Sequence, residues 1–166
     1  AYIASTFYAA DRYASYKTEW EDFYQEGGIV IADRYTTSNM VHQASKMDDI
    51  EERASFLDWL DQYEYGLYKL PRPREVHFLD VPVDVSQDLI RDRKNKFTNE
   101  SQKDIHESDK DYLVKTYENS KFVADKYQWH IVKCIDQDRN MRSVDQIHEE
   151  IYTRVISAIE SKKKDL

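Results

Sequence analysis

Short apolar runs alternate along the chain with long, charged segments whose apolar positions follow a helical spacing. Three runs rich in Val, Ile or Phe predict buried strands at residues 29–32, 76–81 and 130–135. In the segments between them, apolar residues recur every three or four positions, which is typical of amphipathic helices. Because strands alternate with helices, the pattern predicts an α/β fold with a parallel sheet flanked by helices.

Helix boundaries are marked by specific residues. Gly27-Gly28 is typical of a helix end followed by a turn into a strand, and Ser143 with Gln146 fits a capping box at a helix start. No linker is long enough to split the chain, so we predict a single domain over residues 1–166. The predicted helices cover residues 2–25, 37–46, 49–65, 83–94, 105–126 and 143–161.

Composition narrows the class of protein. Hydrophobic residues make up 40% of the chain, enough for a core, and the net charge of −8 disfavours nonspecific binding to nucleic acid or to a membrane surface. No apolar stretch approaches the ~20 residues of a membrane span. Cys134 is the single cysteine, so no internal disulfide can form. We therefore expect a cytoplasmic protein whose partners are neither nucleic acids nor membranes.

The first predicted strand ends on Asp33, Arg34 and Tyr35. In parallel sheets ligands collect at the carboxyl ends of the strands, which places this tripeptide at a candidate binding edge. The arginine fork grips phosphate oxygens, and a neighbouring carboxylate can hold Mg²⁺ or orient the arginine. Judged by the dipeptide alone, a rim salt bridge is the more frequent role of an Asp-Arg pair, so the interpretation depends on context.

Four further segments supply that context. They are FYAADR (7–12), GGIVIADRYTTSN (27–39), LPRPREVHFLDVP (70–82) and KDIHESDKDYLVKTYE (103–118). Together, in this order and spacing, they resemble thymidylate kinases, in particular the bacterial members, over essentially the whole chain. The resemblance implies a fold like that of P-loop nucleoside monophosphate kinases. It also implies ATP-dependent phosphoryl transfer to dTMP giving dTDP, with Mg²⁺ as cofactor, in a homodimer.

The resemblance assigns a nucleotide pocket. It implies that Tyr8 stacks on the thymine ring and that Arg12 contacts a thymine carbonyl. It places Ser38 and Asn39 against the base, and His42 near the 2′ position of the deoxyribose. From the residues alone, Tyr8 is better explained as a core tyrosine of an amphipathic helix, Arg12 as a solvated helix charge, and His42 equally well as a surface histidine.

The same resemblance assigns catalytic roles. Arg34 neutralises charge between the donor and acceptor phosphates, and Asp33 holds Mg²⁺, directly or through water, or orients Arg34. Residues 91–107 match a lid that closes over the ATP phosphates, although such a run of charges is also typical of a solvated face. The lid candidates are Arg91, Arg93, Lys94, Lys96 and Glu107.

A phosphate-binding loop is not found in this sequence. The chain has three glycines and no GxxxxGK[ST] motif. We therefore expect it to be the C-terminal portion of a thymidylate kinase, inactive as a kinase on its own. Two alternatives stay open: an enzyme like the deoxynucleoside kinases, which phosphorylate a sugar hydroxyl, and a non-catalytic relic that binds nucleotide or mediates dimerisation. Comparing dTMP with thymidine as substrates distinguishes a thymidylate kinase from the first alternative.

Overall fold

The computed structural model describes residues 1–97 and 110–164, with side chains for residues 1–90 and 110–161. The chain divides into two compact units, each described here by itself. The first comprises Ala1–Arg72 and Glu118–Val123, and the second comprises Pro73–Tyr117 and Ala124–Leu166. The single domain expected from the sequence stays a prediction.

The first unit is helical in its regular structure. The helices predicted at residues 2–25, 37–46 and 49–65 are confirmed to within one or two residues at most ends, and two of them contain a π-helical turn. The elements are α1 (Tyr2–Ser15), a π-helical segment (Tyr16–Trp20), α2 (Glu21–Gln25), α3 (Thr36–Ala44), α4 (Ile50–Asp61) and a second π-helical segment (Gln62–Leu67).

Helix α4 begins and packs as its sequence dictates. The Asp49 carboxylate accepts the backbone N–H of Glu52 at 2.8 Å, which caps the first turn. Phe56, Leu57 and Leu60 recur at helical spacing and are buried in the core of this unit. Their burial provides the stabilisation that fixes this helix against its neighbours.

The turn after α2 uses Gly27 in a conformation that other residues rarely adopt. Gly27 has a φ of +92°, and its N–H donates to the carbonyl of Tyr24 at 3.1 Å. The N–H of Gly28 donates to the carbonyl of Phe23 at 2.9 Å. These bonds satisfy carbonyls at the end of α2, so the helix end predicted at this pair is confirmed.

We expect Gly27→Ala to lower the free energy of unfolding by about 1–2 kcal/mol, because a Cβ disfavours positive φ. Gly66→Ala is the matched control: Gly66 lies in a helical segment, and an added Cβ would meet nothing closer than the Gln62 side chain at 3.9 Å. That substitution should raise the free energy by about 0.5–1 kcal/mol. Urea unfolding of both variants checks the pair, and equal shifts of the two midpoints would contradict the prediction.

The strand predicted at residues 29–32 is wrong. Residues 28–32 have no regular secondary structure, and Ile31 is 85% exposed. Ile29 and Val30 are exposed as well. An apolar, β-branched run favours an extended chain, but a strand forms only when a neighbouring strand accepts and donates its backbone hydrogen bonds. In the described part of the chain, this segment is not paired in that way.

The second unit contains a two-stranded parallel sheet. Strand β1 (His77–Asp80) pairs with β2 (His130–Lys133), in a register that runs from His77 opposite His130 to Asp80 opposite Lys133. The strands predicted at residues 76–81 and 130–135 and their parallel direction are therefore confirmed, with shorter bounds. Within the described residues the sheet has no further strand, so the wider sheet of a P-loop kinase stays a prediction.

Three helices contribute to this unit: α5 (Val83–Phe97), α6 (Lys110–Lys126, of which Glu118–Val123 belongs to the first unit) and α7 (Val144–Lys164). The backbone N–H of Ser143 donates to the Gln146 side chain at 3.0 Å, and the N–H of Gln146 donates to the Ser143 hydroxyl at 3.2 Å. This reciprocal pair confirms the predicted capping box. Across residues 1–97 and 110–164, none of the helices has both the length and the apolar character that a membrane span requires.

Candidate functional site

A pocket of about 380 Å³ lies in the first unit. Three of the candidate residues, Tyr8, Arg12 and Arg34, line it although they come from two separate segments of the sequence. Its size is in the range of small-molecule sites, and charged and hydroxyl-bearing side chains line it beside apolar ones. The remaining lining residues are Asp11, Ser15, Trp20, Val30, Ile31, Ala32 and Tyr35.

Arg12 is held on several sides. One terminal nitrogen of its guanidinium pairs with the Glu64 carboxylate, and the other donates to the backbone carbonyl of Tyr35 at 3.1 Å. The guanidinium carbon also lies 5.7 Å from the centre of the Tyr35 ring, within range of a cation–π contact. Arg12 is largely buried and fixed in place, so the solvated helix charge is not its role.

Glu64 is a residue of this site that the sequence reasoning missed. Its side chain is fully buried, and besides Arg12 it accepts the Asn39 amide at 3.1 Å. Burial raises the pKa of the Glu64 carboxyl above its ordinary value, while the Arg12 charge and the hydrogen bonds from Asn39 and Arg12 oppose that shift. The sequence did carry a signal for a buried Glu64: it falls four positions after Leu60, in line with the apolar stripe of the helix.

Arg34 adopts a conformation that is uncommon for arginine. Its φ is +70°, in the left-handed region that few residues other than glycine enter. Its side chain is exposed, lines the pocket and donates from Nε to the Ser38 hydroxyl at 3.1 Å. Strained backbone of this kind clusters at functional sites, where surrounding contacts maintain it. The Arg34 side chain is thus exposed at the lining of the pocket.

Other predicted site residues do not belong to the pocket lining. Asp33 is exposed beside Arg34. Ser38 contacts two lining residues: its hydroxyl accepts the Arg34 Nε–H, and its backbone N–H donates to the Tyr35 carbonyl at 3.0 Å. Asn39 is 2% exposed, and its amide nitrogen donates to Glu64 and to the Ser5 carbonyl at 3.3 Å. Its amide N–H groups are therefore engaged inside the unit rather than turned toward the pocket. His42, near the end of α3, is partly buried.

Tyr35 packs beneath Arg12. Its hydroxyl donates to the Pro71 carbonyl at 3.1 Å, and its ring contacts Trp20 edge to face. Burial raises the pKa of the Tyr35 phenol well above its ordinary value, and burial likewise raises the pKa of Tyr65 to about 12. Both phenols therefore remain protonated near neutral pH. The Tyr35 hydroxyl acts as a hydrogen-bond donor, and the Tyr65 hydroxyl shares a hydrogen bond with the Thr36 hydroxyl.

Comparison with known proteins adds no assignment. Neither models of known protein families nor curated proteins match this chain.

The predicted lid lies partly outside the described residues. Its first positions, 91–97, form the end of α5, so the backbone there is helical rather than a loop. The side chains of these positions are not among those described, and Glu107 lies outside the described residues altogether. The predicted roles of the lid cations stay predictions. The residues concerned are Arg91, Arg93, Lys94 and Lys96.

Two acids near the ends of the sheet strands have structural partners. The Asp80 carboxylate accepts the Tyr117 hydroxyl at 2.7 Å, and Asp136 accepts the backbone N–H groups of Asp138 and Asn140, each at 2.9 Å. Among the described residues, no group of three or more His, Cys, Asp or Glu side chains could hold a metal ion.

Proposed function

We propose that this chain carries the nucleotide monophosphate pocket of a thymidylate kinase, which transfers the γ-phosphoryl group of ATP to dTMP. The observation that carries the proposal is the convergence of Tyr8, Arg12 and Arg34 on one pocket. The resemblance of the surrounding segments to thymidylate kinases supports the choice of dTMP. An aromatic face, a fixed arginine and an exposed arginine are the groups that a base, a base carbonyl and a phosphate require.

Each side chain has a distinct task in this proposal. Tyr8 is exposed at the pocket wall, where its ring can stack on a planar base. Arg12 donates to a carbonyl of the base, and Arg34 binds the phosphate. In the reaction, a phosphate oxygen of dTMP bonds to the γ-phosphorus of ATP as the bond to ADP breaks. Arg34 stabilises the negative charge that spreads over the transferred group.

At this site, Mg²⁺ would be bound jointly by a protein carboxylate and the substrate phosphates. It is usually bound by one or two carboxylates together with substrate phosphates and water, and Asp33 offers one exposed carboxylate next to Arg34. When bound, the ion supplies charge neutralisation at the phosphates.

We also propose a cytoplasmic homodimer. The buried, unpaired thiol of Cys134 is consistent with a reducing compartment. The exposed apolar side chains of Ile3 and Phe7 on α1 are compatible with a contact to a second copy.

Titration calorimetry with dTMP, thymidine and dCMP tests the proposal. We expect dTMP to bind most tightly, and Arg34→Ala to weaken dTMP binding by about tenfold or more, because a hydrogen bond to a charged group is lost. Arg139→Ala is the matched control, since Arg139 is also an exposed arginine with positive φ but is not part of the pocket. Absence of dTMP binding, or tighter binding of thymidine, would overturn the proposal.

A further inference from the structure

We propose that Glu64 is a positioning residue: it fixes the Arg12 guanidinium in the orientation that recognises the nucleotide base. This inference rests on the proposed function, because it concerns how the same pocket selects its ligand. Glu64 itself does not line the pocket. It acts on the ligand only through Arg12.

Both carboxylate oxygens of Glu64 are engaged. Oε2 pairs with a terminal nitrogen of Arg12 on α1, and Oε1 accepts the Asn39 amide of α3 at 3.1 Å. Asn39 is in turn tied to the Ser5 carbonyl of α1 at 3.3 Å. The carboxylate therefore joins three helical segments at one buried point, next to the Arg12 side chain that lines the pocket.

These contacts determine where Arg12 can donate. A guanidinium has five N–H donors in a rigid planar fork. Glu64 takes a donor on one terminal nitrogen, and the Tyr35 carbonyl takes one on the other. With both terminal nitrogens anchored and the Tyr35 ring beside it, the plane of the guanidinium is fixed. The remaining N–H donors of the Arg12 guanidinium are therefore held in a fixed orientation, and the Arg12 side chain lines the pocket.

The cost of burying Glu64 also argues for this role. The side chain occupies a core position, where a buried carboxylate is expensive and an apolar residue would normally pack better. The raised pKa of its carboxyl reflects that desolvation. The compensating groups are the Arg12 charge and the Asn39 amide, so the acid is best explained by the arginine that it orients.

The first test measures affinity in the Glu64→Gln variant, which keeps the shape of the side chain and removes its charge. We expect the Kd for dTMP to rise about tenfold, because a charge-assisted anchor of Arg12 becomes a neutral one. The Kd for 2-deoxyribose 5-phosphate, measured by competition, should not change, since that ligand has no base for Arg12 to contact. An equal loss for both ligands would indicate a merely structural role and overturn the inference.

A double-mutant cycle with Arg12→Gln completes the test. If Glu64 acts through Arg12, Glu64→Gln has no further effect on dTMP affinity once Arg12 is replaced. An unchanged Kd for dTMP in the single Glu64→Gln variant, beside normal binding by the wild-type chain, overturns the inference alone. Absence of dTMP binding by the wild-type chain overturns the proposed function and this inference with it.

A second variant covers the case in which Glu64→Gln does not fold, as judged by circular dichroism. Glu64→Asp keeps the charge but shortens the side chain, which withdraws the carboxylate from Arg12. The same selective loss for dTMP over 2-deoxyribose 5-phosphate is expected, and its absence in a folded Glu64→Asp chain overturns the inference.

Discussion

Arg12→Ala is expected to lower the free energy of unfolding by about 3–5 kcal/mol, because it leaves a buried carboxylate without its counter-charge. Glu64 is fully buried and pairs with Arg12. Asn39 remains as a donor to one of its oxygens, but an amide does not neutralise the charge. Chemical denaturation monitored by circular dichroism at neutral pH measures the loss.

Arg72→Ala is the matched control for this prediction. Arg72 forms a two-point ion pair with Asp61, at 2.6 and 2.7 Å, but its side chain is 61% exposed. Exposed ion pairs contribute about 0–1 kcal/mol, and the cation–π contact of Arg72 with the Tyr65 ring, 4.2 Å from its centre, contributes about 0.5–1 kcal/mol. This variant should therefore change stability less than Arg12→Ala. Equal losses for the two variants would contradict the argument from burial.

The paired replacement Arg12→Met with Glu64→Met distinguishes lost charge balance from lost packing. Replacing both members of a buried ion pair by apolar groups of similar volume is often neutral or stabilising. We therefore expect the double variant to be more stable than Arg12→Ala and to lose selective dTMP binding. If the double variant is stable but does not recognise the base, the Arg12–Glu64 pair is needed for ligand binding and not for folding.

Leu60→Ala is expected to lower the free energy of unfolding by about 2–5 kcal/mol, because it removes buried methyl groups and leaves a cavity. Leu60 has no exposed surface and lies on the stripe of α4 that also buries Phe56 and Leu57. It precedes Glu64 by one helical turn, so relaxation around the cavity should also disturb the carboxylate that holds Arg12. Denaturant unfolding and a dTMP titration measure the two effects.

Leu67→Ala serves as the control for that substitution. It makes the same chemical change seven positions further along, at a side chain that is 67% exposed. Exposed positions without special contacts usually change stability by about 0.5 kcal/mol or less. If both leucine variants unfold at the same denaturant concentration, the second π-helical segment and α4 do not pack as described.

The sequence predicted local features well where the signal is local. Helix spacing, the glycine pair after α2 and the capping box before α7 all depend on residues within a few positions of each other, and the structure confirms each. The strand at residues 29–32 failed because its signal is only a preference for extended backbone. Whether such a run becomes a strand is decided by a partner elsewhere in the chain.

In the candidate site, too, some features were predicted from the sequence and others depend on contacts in the folded structure. Arg12 and Arg34 were predicted from their segments, and the structure brings both to one pocket with Tyr8. Asn39 was predicted to face the nucleotide base, and that role stays a prediction; in the structure its amide nitrogen donates to Glu64 and to the Ser5 carbonyl inside the unit. An asparagine on a helix carries no local mark of which face its neighbours will cover, so this could not be read from spacing.

By itself, the sequence determined the helices, the glycine turn after α2, the capping box before α7, two parallel strands and the arginines available for a phosphate or a base. Only the tertiary structure decided which of these groups meet: it buried Glu64 against Arg12 and left residues 29–31 exposed. The physical reason is the distance along the chain over which each interaction acts. Backbone preferences and periodicity act within a few residues, whereas burial, ion pairing and strand pairing depend on segments far apart in the chain.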